Sequence, residues 1–233
     1  MVNTITKVLV GSRLHGLANE QSDYDYRGIH MHDLSDVLSP FKSLKNTTWI
    51  EGDEDNTSYE LADFCKQAIH GNATILEVFF SNQVIESSPI ADEMRANWRK
   101  FIDSDKFLMA SRGYANNQYN KMQLFEGPGV KGQNRTPKFA VAYIRVLWQC
   151  ARFFETGEFH CQIDEPELRD YMLRIKHDWS DDLVPELSQR FIELQKRVTD
   201  AYAQAPKLKP DINWIERFIY QSYTGVPMSG KEL

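Results

Sequence analysis

Two aspartates two residues apart, Asp23 and Asp25, follow a glycine–serine turn at Gly11-Ser12, and this is the stretch whose residue types could do chemistry. Val8, Leu9 and Val10 read as a short buried strand, broken at Gly11-Ser12, where a backbone without a Cβ can approach a phosphate. A short helical piece is expected from Arg13 to Ala18. The segment from Asp23 to Ile29 then regains strand character, with Tyr24 and Tyr26 alternating against Asp23, Asp25 and Arg27. Side chains at i and i+2 leave a strand on one face, about 6.6 Å apart at their bases. Two carboxylates so placed repel each other unless a cation lies between them, and Mg²⁺ (or Mn²⁺), which prefers oxygen ligands, is the natural candidate.

The elements that must position this stretch read as an α+β chain. Asn46 to Ile50 and Thr57-Ser58-Tyr59 suit short strands, separated by the acidic, turn-like run from Glu51 to Asn56. From Leu61, the apolar positions Phe64, Cys65, Ala68 and Ile69 recur at helical spacing until Gly71-Asn72, and Ile75 to Phe80 begins another short element. Beyond Pro89 the pattern is helical: Ile90 to Ile102, Asp105 to Phe125, Pro166 to Lys176, Asp182 to Ala203 and Ile212 to Tyr220, with a polar loop over 126–135. The clearest helix starts at Thr136-Pro137, carries Ala140, Ile144, Leu147, Ala151 and Phe154 as one apolar stripe, and ends at Gly157. A small mixed sheet with packed helices over 1–88 followed by a helical domain over 89–233 is the expected organisation.

Composition bounds the function. The 233 residues are 42% apolar, enough for a packed core in one large or two small domains. No apolar run is long enough to span a membrane, and a cytoplasmic protein without a membrane partner is expected. The formal net charge of −6 argues against a broad nucleic-acid surface. Cys65, Cys150 and Cys161 are odd in number and lack metal-ligand spacing, so they are expected to be reduced, buried thiols.

Gly11, Ser12, Asp23 and Asp25 together resemble the signature of the nucleotidyltransferase superfamily typified by DNA polymerase beta. The extended pattern, Gly-Ser-x-x-x-Gly from Gly11 to Gly16 and Ser-Asp-x-Asp-x-Arg-Gly from Ser22 to Gly28, is similar to one subgroup of predicted nucleotidyltransferases of bacteria and large phages. Tyr59-Glu60-Leu61 with Phe64, and the run from Gly71 to Glu77, resemble the same subgroup. The resemblance implies transfer of a nucleoside monophosphate from a nucleoside triphosphate to an acceptor (protein, tRNA or a small molecule), with release of pyrophosphate. Two ions about 3.5–4 Å apart would hold the attacking and leaving oxygens, with Asp23 and Asp25 as shared ligands. Gly11, Ser12 and Arg13 would face the triphosphate, with Lys138 and Arg145, seven residues apart on one helix, as further cations. Two alternatives keep the fold without turnover: a nucleotide-binding regulatory module, and an RNA-binding protein using the head as a platform. The paired aspartates favour catalysis over the first, and the acidic balance weighs against the second.

Each residue also has a plainer reading. Arg27 could neutralise the acidic face structurally or touch phosphate, and His15 could be a ligand or an ordinary packing residue. Lys121, Lys138 and Arg145 could be solvated helix charges, and Glu77 could support the site or cap structure. Tyr143 stands where the subgroup has a histidine, against proton transfer at that position. Trp148, Phe153 and Phe154 follow helical spacing and read as core. For a third metal-binding carboxylate, alternation gives Glu60 the wetter-looking face with Asn56 and Ser58, whereas the resemblance points to Asp55. Asp55 is the choice, because a one-residue slip would turn the carboxylate away from both ions.

Overall fold

The computed structural model describes residues 2–45, 47–49, 56–124 and 136–227. Its architecture is α+β, with a small mixed sheet and helices that dominate the later chain. Strand β1 (Val2–Val10) runs into a single helical turn, α1 (Gly11–Leu14), and β2 (Asp25–His32) returns antiparallel to β1, with Val10 opposite Asp25 and Val8 opposite Arg27. A short helix, α2 (Leu34–Val37), precedes β3 (Thr47–Trp49) and β4 (Thr57–Glu60). β4 pairs in parallel with β2, with Arg27 beside Thr57 and Ile29 beside Tyr59. After α3 (Leu61–Ile69) and α4 (Ala73–Phe80), β5 (Val84–Glu86) closes the sheet in the order β3-β4-β2-β1-β5.

Local chemistry accounts for these helices. The Glu60 carboxylate accepts from Ala62 N at 2.8 Å and Asp63 N at 3.1 Å, capping α3. Asn72 caps α4 by accepting from Thr74 N at 3.1 Å. α5 (Pro89–Ala96) starts with proline after the capping Ser88. Apolar faces then join the elements: the Phe79 ring lies 5.2 Å from both Phe64 and Phe101, each such pair adding about 0.5–1.5 kcal/mol beyond burial. Of the later helices, α6 spans Ser104–Leu124, α7 Thr136–Thr156, α8 Pro166–His177, α9 Val184–Gln204 and α10 Ile212–Thr224. The stripe expected on α7 is core, with Trp148, Phe153 and Phe154 buried among it. Tyr143 on α7 donates its hydroxyl to Leu187 O on α9 at 2.8 Å. The three cysteines are buried and unbridged.

By the density of internal contacts the chain forms two compact units: 1–14, 20–104 and 208–233 in the first, 15–19 and 105–207 in the second. Leu208 O accepts from Ser104 N at 3.1 Å, Ser104 Oγ accepts from Leu208 N at 2.9 Å, and Lys100 O accepts from Asp211 N at 2.9 Å, which returns the last helix to the sheet-bearing unit. Three local expectations change. Helix α1 is one turn rather than a piece reaching Ala18, β2 begins at Asp25 rather than Asp23, and β5 was not expected. Among the described residues no helix is long and apolar enough to cross a membrane.

Candidate active site

Strand β1 delivers Gly11 to the start of β2 through the Val10–Asp25 register. Gly11 has φ +70°, where an L side chain is strained, and a Cβ there would lie 1.9 Å from Asp25 Oδ2 and 2.9 Å from its Cγ. The Asp25 carboxylate thus sits in the notch that the missing side chain leaves, and sequence-distant Gly11 and Asp25 meet. Ser12 is half-exposed next to them.

Asp23 stands outside the strand ladder, exposed, and among the described residues its carboxylate has no hydrogen bond or ion pair. Its backbone is held by Arg13, whose guanidinium donates to Ser22 O at 2.6 Å and Asp23 O at 3.3 Å. The same guanidinium lies 3.8 Å from the centre of the Tyr24 ring. That bracing went unnoticed in the sequence, where a cation beside a phosphate-like turn suggested a phosphate ligand; only the closing of the loop brings Arg13 to residues 22–24.

Paired register puts Asp25, Arg27, Thr57 and Tyr59 on one face of the sheet. Arg27 donates to Tyr59 Oη at 3.1 Å, a structural partner for that cation. The opposite face of β4 corrects the polarity argument: Asn56, Ser58 and Glu60, which look wet in sequence, are buried, whereas Thr57 and Tyr59 are half-exposed. Each buried group is satisfied. Asn56 Oδ1 accepts from Tyr26 N at 3.0 Å, Ser58 Oγ meets His30 Nδ1 at 2.9 Å, and Glu60 caps α3 while accepting from the Tyr223 hydroxyl. Burial and the Glu60 carboxylate both push the Tyr223 hydroxyl up from its usual range. Asp55, the preferred third carboxylate, lies outside the described residues.

Other candidates are spread through the helical unit. Lys138 is exposed on α7, while Arg145, two turns on, is 8% exposed and donates to Gln149 Oε1 at 2.9 Å. Lys121 lies over the Phe139 ring, 5.8 Å from its centre. Burial drives the Tyr143 hydroxyl well above its usual range, and its proton already goes to a carbonyl, which removes it as a proton carrier. His15 is buried, and its carbonyl accepts from Ile163 N at 3.2 Å. Glu77 is buried within α4 of the sheet-bearing unit.

Among the described residues no group of three or more His, Cys, Asp or Glu side chains could hold a metal ion. Two carboxylates remain: Asp25 in its glycine notch and unpaired Asp23. That donor set fits Mg²⁺, which commonly takes one or two protein carboxylates, substrate phosphates and water.

A strand, a glycine–serine turn and a second strand opening on an aspartate, within a small mixed sheet, define a DNA polymerase beta-like nucleotidyltransferase fold. The sequence profile described as the RNA repair pathway DNA polymerase beta family matches residues 1–209, and the chain belongs to that family. It is also 28% identical over 156 residues to an uncharacterized protein of Methanocaldococcus jannaschii, a match covering 65% of this chain and 60% of that protein. The chain therefore aligns with less than two thirds of that relative's length.

Proposed function

We propose that this protein is a metal-dependent nucleotidyltransferase that moves a nucleoside monophosphate from a nucleoside triphosphate to an RNA end. The observation that carries the transfer reading is the Gly11 notch: a glycine of positive φ whose absent Cβ is replaced by the Asp25 carboxylate, with Asp23 unpaired nearby in sequence. The family description, an RNA repair pathway, supports RNA as the acceptor.

In this reading Gly11 and Ser12 present backbone amides, and Ser12 its hydroxyl, to the triphosphate. Asp23 and Asp25 would hold Mg²⁺ (or Mn²⁺), which would supply charge neutralisation at the reacting phosphate. Asp55 takes the proton of the acceptor hydroxyl. The new bond joins that oxygen to the α-phosphorus, and the bond to the β-phosphate oxygen breaks to release pyrophosphate. Arg145 supports its own helix through Gln149.

The test is incubation of the purified chain with each α-labelled nucleoside triphosphate, Mg²⁺ or Mn²⁺, and RNA strands with a free 3′-hydroxyl. Pyrophosphate release with label on RNA, absent in Asp25→Asn, is expected. Label on protein or a small molecule would retain the transfer reading and replace the acceptor. No pyrophosphate with any of the triphosphates would reject the enzyme.

A further inference from the structure

The two aspartates are not fixed by the same means. Asp25 belongs to the β2 ladder opposite Val10, whereas Asp23 precedes the strand and takes no position from the sheet. What reaches it is α1. Gly11 at the start of that turn abuts Asp25, and Arg13, two residues on, grips the carbonyls of Ser22 and Asp23 while stacking on Tyr24. We infer that Arg13 is a positioning residue which sets Asp23 against Asp25 for metal binding, rather than a ligand of the triphosphate.

The chemistry of the side chain suits this. A guanidinium is planar and carries donors in a fixed fork, so Nε and one terminal nitrogen can hold two successive carbonyls while the flat face rests on an aromatic ring. Lysine can satisfy one of those carbonyls but cannot reproduce the fork or the same stacking. The contacts also leave Arg13 half-buried and directed at the 22–24 backbone, with two of its three nitrogens occupied. One turn of chain therefore gauges both carboxylates, one through a missing atom and the other through two donated hydrogen bonds. The inference rests on the metal-dependent reading given above, and metal affinity tests it without requiring turnover.

The experiment compares the full-length wild type with Arg13→Ala, Arg13→Lys and Asp25→Asn. Mn²⁺ binding is measured by calorimetry without nucleotide, and pyrophosphate release is measured over a range of Mg²⁺ and triphosphate concentrations. Supporting groups around a metal ligand commonly change affinity about 10–100-fold. Arg13→Ala should therefore bind Mn²⁺ about tenfold or more weakly and need correspondingly more Mg²⁺ for half-maximal rate. At saturating Mg²⁺ its KM for the triphosphate should stay within about twofold of wild type. Arg13→Lys should fall between, and it carries the measurement if the alanine variant does not fold. Unchanged Mn²⁺ affinity in a folded variant, or a tenfold rise in triphosphate KM at saturating Mg²⁺, overturns the inference; the latter would put the guanidinium on phosphate. If wild type releases no pyrophosphate but Arg13 variants still lose Mn²⁺ affinity, the transfer reading fails and the positioning role stands. If wild type binds no Mn²⁺, the positioning role fails.

Discussion

Replacing Gly11 with alanine is the sharpest perturbation of this site, because one methyl group introduces two separable costs. The first is conformational. At φ +70° an L residue is disfavoured by roughly 1–2 kcal/mol, independent of its neighbours. For a chain of this size that lowers the melting temperature by about 2–8 °C. The second is steric and falls on the Asp25 carboxylate, the proposed metal ligand. The new Cβ would lie 1.9 Å from Asp25 Oδ2, 2.9 Å from Cγ and 3.1 Å from Cβ, so the carboxylate must retreat by about 1–2 Å to reach ordinary contact. A displacement near 1 Å at a reacting centre can cost about 100-fold in rate, which is the loss of kcat expected for Gly11→Ala. Thermal melting followed by circular dichroism reads the first cost, and pyrophosphate release at saturating metal and triphosphate reads the second. Combining Gly11→Ala with Asp25→Ala removes the two closest clashing atoms, so the double variant should recover the steric part of the melting loss while keeping the φ part. A coupling of about 0.5 kcal/mol or more between the two substitutions is the expected signature. Gly11→Ala that melts within about 1 °C of wild type and turns over normally would refute the notch.

Asp23→Asn and Asp25→Asn should each lower pyrophosphate release by at least about 100-fold while leaving the far-ultraviolet circular dichroism unchanged. Glu60→Ala should instead be a stability variant: it removes the α3 cap, costing about 0.5–2 kcal/mol, and leaves the Tyr223 hydroxyl without its carboxylate. Denaturant midpoints should show that loss, with activity largely retained below the transition; Asp55→Ala should instead lose transfer while sparing nucleotide binding, read by calorimetry. Burial first, and then the neighbouring His32, lower the pKa of His30 from 6.5, so the unfolded chain takes up this proton before the folded one does. His30 therefore contributes stability that is fully present above about pH 6.5 and is lost as pH falls below it. His30→Asn should flatten the stability–pH curve below that point, and an unchanged slope in urea titrations would reject the assignment.

Much of the candidate site was legible locally. Gly11-Ser12 after a β-rich apolar run, and Asp-x-Asp before another, are signals carried by neighbouring residues, as is the 3.6-residue stripe that makes α7 a buried helix. β5 was invisible because Val84–Glu86 is three residues long with every side chain exposed, too short and too wet to show periodicity; its strand character comes from pairing with β1. The buried Asn56-Ser58-Glu60 face was misread because polarity reports exposure only when polar groups lack partners, and these find theirs in Tyr26, His30, the α3 amides and Tyr223. Arg13 likewise carries a charge whose destination, the Ser22 and Asp23 carbonyls, is set only by the fold. The sequence by itself determined the chemical inventory, the elements with strong local periodicity and the family pattern. The tertiary structure alone decided which atoms meet: the Asp25 carboxylate in the Gly11 notch, Arg13 on the 22–24 backbone, and 208–227 returned to the sheet-bearing unit. Those contacts join residues far apart in the chain, and their energies depend on distances that close only when strands pair and helices pack.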